Sequence, residues 1–135
     1  MMTEIPMKVT ERLVNEQIIW LTTTRTDGTP LPNPVWFLWN GRQFLVFTEP
    51  GSIKIKNMAR NPRVALNFNS DFDGGDVAIF QAEADLSDDP VSESDLKDYL
   101  SKYHEGMASI NITAEILTSN YRLVRLTPIK FRTAS

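Results

Sequence analysis

Residues 44–68, FLVFTEPGSIKIKNMARNPRVALNF, read as a strand, a tight turn, a short helix with a basic start, a proline stop and a second strand. Phe44 to Thr48 has the β-branched and aromatic bias of a strand. Glu49-Pro50-Gly51 is turn chemistry. Ser52 suits a helix N-cap, because its hydroxyl accepts from a backbone N–H two or three residues on. Ile55, Met58 and Ala59 share one helical face, and Asn61-Pro62 closes the helix. A helix start leaves N–H groups unpaired at the positive end of the helix dipole, here with Lys54 and Lys56 beside it. Two readings follow. One is a site for a phosphate or carboxylate group; the other is a capped surface helix with ordinary solvated lysines.

Composition narrows the classes around that segment. The chain has 135 residues, enough for a single domain over 1–135 with a real core. Hydrophobic residues make up 41%, which argues against disorder. A net charge of −3 argues against nucleic-acid binding, which ordinarily needs a basic surplus. The basic residues around Lys54 are therefore a local feature of an acidic chain. Cysteine is absent, so disulfides, zinc fingers and thiol catalysis are excluded. The first residues lack a signal-length apolar run and no stretch reaches membrane-span length, so a soluble, cytoplasmic protein is expected.

Before residue 44, Thr10 to Gln17 reads as a helix capped by Thr10, and Ile18 to Arg25 as a strand. Asp27-Gly28 is a hairpin signal. Pro30, Pro32 and Pro34 cannot donate to a ladder, so that stretch is expected to be extended at an edge or bulge. Val35 to Trp39 is the most apolar strand, and Asn40-Gly41 predicts a type I′ hairpin into Arg42 to Thr48. A three-strand meander feeding the capped helix results.

After residue 62, Val64 to Phe68 and Val77 to Asp85 read as strands flanking a polar loop. Asp71, Asp73 and Asp76 in that loop lack the length and terminal glutamate of a calcium loop and read as solvated. Ser92 or Ser94 caps a helix with Leu96, Tyr99, Leu100 and Tyr103 on one stripe. Gly106 is expected to stop it, and Ile110 to Ser119 holds another short helix. Tyr121 to Leu126 is a strand, with Thr127-Pro128 interrupting it before a short extension at Ile129 to Arg132. The count is about six strands, mainly β with short helices, favouring a small closed or partly open antiparallel barrel.

The common nucleotide and hydrolase fingerprints are missing. His104, the single histidine, has no partner ligands in sequence for a metal site. Neither a catalytic side chain nor a metal site is expected. A catalyst of this composition would borrow its reactivity from a cofactor and supply binding and orientation.

The run DGTPLPNPVWFLWNGRQFLVFTEPGSIKIKNMARNPRVALNF, followed by GGDVAIFQAEADL, resembles the FMN-binding split-barrel family. That family contains pyridoxamine 5′-phosphate oxidases and deazaflavin (F420)-dependent reductases. The resemblance spans nearly the whole chain and is closest to the F420 branch. It implies a six-stranded antiparallel split barrel that forms a homodimer, with the cofactor in an interface groove. Val35, Trp36 and Phe37 would lie along the cofactor ring, their backbone meeting its polar edge. Thr48, Ser52, Lys54, Lys56 and Asn57 would hold the phosphate or tail, with Arg60 and Arg63 extending a basic track.

Two departures bear on the cofactor. The oxidases place a phosphate-gripping arginine on the second strand, where Asn33 stands here. Their late arginine–histidine substrate motif is also missing, which disfavours a vitamin B6 oxidase. The implied activity is hydride transfer between F420 and a small molecule. The alternatives are an FMN-dependent flavin reductase or oxidase, and a non-catalytic carrier or sensor of flavin, F420 or haem. Trp36, Phe37 or Trp20 would shape the substrate side, unless they serve only as core.

Overall fold

A computed structural model describes residues 4–133; positions 1–3 and 134–135, the ends of the expected domain, lie outside the described residues. In chain order the elements are α1 (Met7–Asn15), β1 (Ile19–Thr24), β2 (Pro30–Val35), β3 (Leu38–Trp39), β4 (Phe44–Thr48), α2 (Ile53–Arg60), β5 (Arg63–Asn67), β6 (Ile79–Asp85), α3 (Glu93–Ser109), α4 (Ala114–Asn120) and β7 (Arg122–Arg132). The strands form one seven-stranded sheet, order β2-β1-β5-β6-β7-β4-β3, antiparallel throughout.

The two edge strands, β2 and β3, are separated in the chain by Trp36 and Phe37 alone. Three peptide units span at most roughly 10 Å. The sheet must therefore roll until its edges nearly meet, which is the split-barrel form expected. The strand count is seven in place of six, and the additional strand is the proline run itself. β2 pairs with β1 over its full length, Ile19 opposite Val35 to Thr24 opposite Pro30. Prolines spaced by two keep every missing N–H on the same side of the strand, away from β1, which only an edge tolerates.

Several local expectations are corrected. The meander does not form: β3 pairs with β4, and the apolar run 35–39 leaves the ladder at Trp36 because β2 and β3 belong to opposite edges. Asn40 does not take the positive φ of a type I′ turn; Gly41 alone does, at 92°. The Asn40 side-chain oxygen instead accepts from the N–H groups of Arg42 and Gln43, at 3.0 and 2.8 Å, an Asx-type turn. α1 starts earlier than Thr10, because Pro6 has φ −59° and occupies the N-cap position. α3, capped by Ser92, continues through Gly106 to Ser109. β7 runs unbroken through Pro128, since a register shift opposite Gln81 and Ala82 absorbs the missing donor.

Two apolar clusters hold the molecule together. Leu21, Phe37, Phe44, Leu66, Phe80 and Leu126 fill the barrel. Leu38, Leu45, Tyr99, Tyr103, Met107 and Leu117 form the second cluster, between the β3–β4 hairpin and the late helices. β4 serves both: Phe44 and Val46 face the barrel while Leu45 and Phe47 face the helices, which explains a strand without polar alternation. Among the described residues no helix is long and apolar enough to cross a membrane.

The aspartate-rich loop is tied down by a residue that sequence reading passed over. Arg12 donates to the carbonyls of Asp76 and Asn69, both at 2.7 Å. It also pairs with Glu16 at 2.6 Å and lies 4.8 Å from the Phe68 ring centroid. With its side chain 15% exposed, this guanidinium fastens α1 to the end of β5. Arg12→Ala is expected to lower the unfolding free energy by about 2 kcal/mol, measured by urea denaturation; a loss within error would show that the loop is held by other contacts.

Candidate functional site

α2 begins as its sequence dictates. Ser52 sits at the N-cap with extended backbone, and its hydroxyl accepts from Ile55 N–H at 3.4 Å. Thr48, at the end of β4, brings its hydroxyl to 3.5 Å from that of Ser52. Among the described residues the N–H groups of Ile53 and Lys54 make no turn or loop hydrogen bond. They remain available at the positive end of the helix dipole.

This helix start opens onto a cavity of about 400 Å³, a size suited to a small-molecule site. Thr48, Glu49, Ser52 and Lys54 line one side; Pro34, Val35 and Trp36 form another. α3 supplies Tyr99 and Met107, α4 supplies Leu117 and the segment between them Ile110 and Ile112, while Phe47 and Tyr121 complete the lining. One end is thus polar and cationic, with half-buried Lys54, and the rest is apolar and aromatic. Glu49 is exposed, so water screens its repulsion of an anion.

The structure brings Val35, Trp36, Thr48, Ser52 and Lys54 together and leaves Asn33, Phe37, Lys56, Asn57, Arg60 and Arg63 off this lining. Asn57 is buried and donates to the Thr23 hydroxyl at 3.0 Å, so its amide pins α2 to β1. Arg60 donates to the Thr24 carbonyl and the Thr26 hydroxyl at the β1–β2 hairpin. Lys56 is solvent-exposed. Asn33 lies on β2 opposite Leu21. Phe37 has its ring in the barrel core, and its N–H donates to the Tyr103 hydroxyl at 2.9 Å. Its carbonyl accepts from the Lys102 ammonium, also at 2.9 Å.

Sequence reading missed the helical wall. Tyr99, Tyr103 and Met107 follow one another at i, i+4 spacing, a stripe that would have carried into the cavity had Gly106 not been read as a stop. Tyr103 belongs to that stripe but not to the cavity lining. Its buried hydroxyl also donates to the Gln17 carbonyl at 2.7 Å, and its ring stacks on Trp36 with centroids 4.6 Å apart and planes 5° from parallel. Burial pushes the phenol pKa values of Tyr99 and Tyr103 upward, so both remain neutral donors. Lys102 sits 3.7 Å from the Phe37 ring centroid. Burial pushes its ammonium down to about 8, against an opposing pull from Glu16.

The sequence profile of the pyridoxamine 5′-phosphate oxidase family matches residues 5–134, and the chain belongs to that family. No curated protein matches the chain in sequence. Among solved structures, an F420 reductase is similar with 20% identity and a TM-score of 0.72, covering 96% of this chain and 100% of that one. HutZ, the haem storage protein from Vibrio cholerae, is similar with 16% identity and a TM-score of 0.72, covering 97% and 95%. An FAD-binding protein from Mesorhizobium loti has 17% identity and a TM-score of 0.69, covering 92% and 87%. At such identities the likeness establishes a shared fold.

Lys102 offers a test of how the edge junction is buried. Its folded-state pKa, about 8, is below the ordinary lysine value of 10.5, so between those two pH values the unfolded chain holds more protons at this position. Stability at this site then rises with pH across that window and is level below it. Urea midpoints of wild type should gain on those of Lys102→Met between pH 8 and 10; a constant difference would mean that Lys102 keeps its ordinary affinity for the proton.

Proposed function

We propose that this chain is an F420-dependent oxidoreductase, moving hydride between a bound deazaflavin and a small-molecule substrate. The carrying observation is that one cavity combines free N–H groups at a capped helix start, a half-buried lysine and an apolar wall that includes Trp36, Phe47, Tyr99 and Tyr121. An anionic tail and a planar apolar ring are the two halves of such a cofactor, and the residues present fit both. Ser52, Thr48, Lys54 and the α2 N–H groups would hold the anionic end. Phe47, Trp36 and Tyr99 would flank the ring; Phe47 and Tyr99 already meet edge to face at 4.9 Å.

When bound, the deazaflavin supplies the hydride chemistry. The protein's part is to orient, to exclude water and to fix the ring beside the substrate. Among the cavity residues no nucleophile–base pair is assembled, and hydride transfer asks for none. The FMN reading is weaker because Asn33, in the position of the oxidases' phosphate-gripping arginine, lies off the cavity lining. We further propose a homodimer with this groove at its interface. Ile53, next to Ser52, is 49% exposed and Ile110, in the cavity lining, is 54% exposed, which leaves apolar surface for a partner to cover.

Titration of the purified protein with F420 and with FMN, followed by tryptophan fluorescence, tests the reading. F420 is expected to bind more tightly, and Lys54→Ala to weaken it about tenfold, the size of one charge-assisted hydrogen bond. Tighter binding of FMN would move the assignment to a flavin enzyme. Failure to bind either, or an unchanged affinity in Lys54→Ala, would overturn the site.

A further inference from the structure

Gly106 stands inside α3, where glycine weakens a helix relative to alanine. The reason for it lies across the groove. A Cβ at this position would stand 2.9 Å from Cη2 of Trp36 and 3.0 Å from its Cζ2, inside the closest approach that carbon atoms tolerate. The edge of the indole is therefore seated in the space that glycine leaves.

The indole has little freedom to yield elsewhere. One face is stacked on Tyr103, and Tyr103 cannot retreat, because it is buried and its hydroxyl bridges Phe37 N–H and the Gln17 carbonyl. The backbone on the C-terminal side of Trp36 is fixed by the same contacts. What remains open is the cavity, which Trp36 lines together with Met107 of the same helix. A side chain at position 106 would drive the indole toward that space, or push α3 away from β4.

We infer that Gly106 is a specificity-determining position, which seats the Trp36 indole flat against Tyr103 and so keeps the cavity wide enough for a planar, fused-ring ligand. The inference rests on the deazaflavin reading of the cavity. Gly106 itself touches no ligand; it is a positioning residue that acts through Trp36. It distinguishes ligand shapes: a fused ring needs the full width beside the indole, whereas the atoms nearest a Cβ at position 106 all belong to Trp36 and none to Ser52 or Lys54.

The test compares wild type, Gly106→Ala, Trp36→Phe and the double variant, each as the full chain, by titration with F420 and with FMN. Gly106→Ala is expected to weaken the ring-bearing ligands at least about tenfold, the scale of overpacking in a well-filled site. Phenylalanine lacks the atoms that the new methyl would strike, so in the Trp36→Phe background the same substitution should change affinity by less than about threefold. Helix propensity alone would predict a more stable Gly106→Ala protein; thermal melting should show a less stable one, with the loss recovered in the double variant. Should Gly106→Ala fail to fold, a folded and ligand-competent double variant would carry the same conclusion. Wild-type binding with an equal affinity in Gly106→Ala overturns this inference alone. Wild type that binds neither ligand overturns the cofactor reading and this inference with it.

Discussion

The structure depends on the junction at Trp36 and Phe37, where the two edges of one sheet are joined by two residues. A sheet whose edges are so tethered has to curl, and the curl encloses the barrel core. The junction cannot pair as a strand, so its backbone polar groups need partners from outside the sheet. α3 supplies them: Tyr103 meets Phe37 N–H, and Lys102 meets the Phe37 carbonyl. Phe37 then turns its ring into the barrel and Trp36 turns its indole toward the groove. One tether thus sets the interior and the edge of the site together.

β4 and α2 add to that closure a cavity with a polar corner. β4 is buried on both faces, so its far end, Phe47-Thr48, emerges between barrel and helices. The turn at Glu49 to Gly51 then starts α2 at the mouth of the cavity. On a chain whose overall charge is −3, that corner carries the helix-start N–H groups and Lys54. Any pull on a negative group there would come from local geometry and not from the net field. Two other polar α2 side chains serve the fold: Asn57 holds Thr23 and Arg60 holds the β1–β2 hairpin. Lys54, Asn57 and Arg60, alike as polar residues of one short helix, divide into cavity lining and scaffold once the helix is docked.

Local chemistry was legible from the residues themselves. Ser52 as a cap, the strands on either side of α2, the edge placement of the proline run and the β-rich barrel class all follow from φ restrictions, donor counts and side-chain period, each confined to a few neighbouring residues. The family resemblance rests on the same segments, and the profile match over residues 5–134 agrees with it. Tertiary structure decided what depends on partners distant in the chain. That β2 and β3 are opposite edges, that Arg12 grips a loop more than fifty residues away, and that Gly106 makes room for an indole instead of ending a helix are not encoded in any local window. Glycine and asparagine are ambiguous for a physical reason: each satisfies either a backbone torsion or a packing and hydrogen-bonding demand. Only the position of Trp36 against Gly106, and of Thr23 against Asn57, shows which demand was being met.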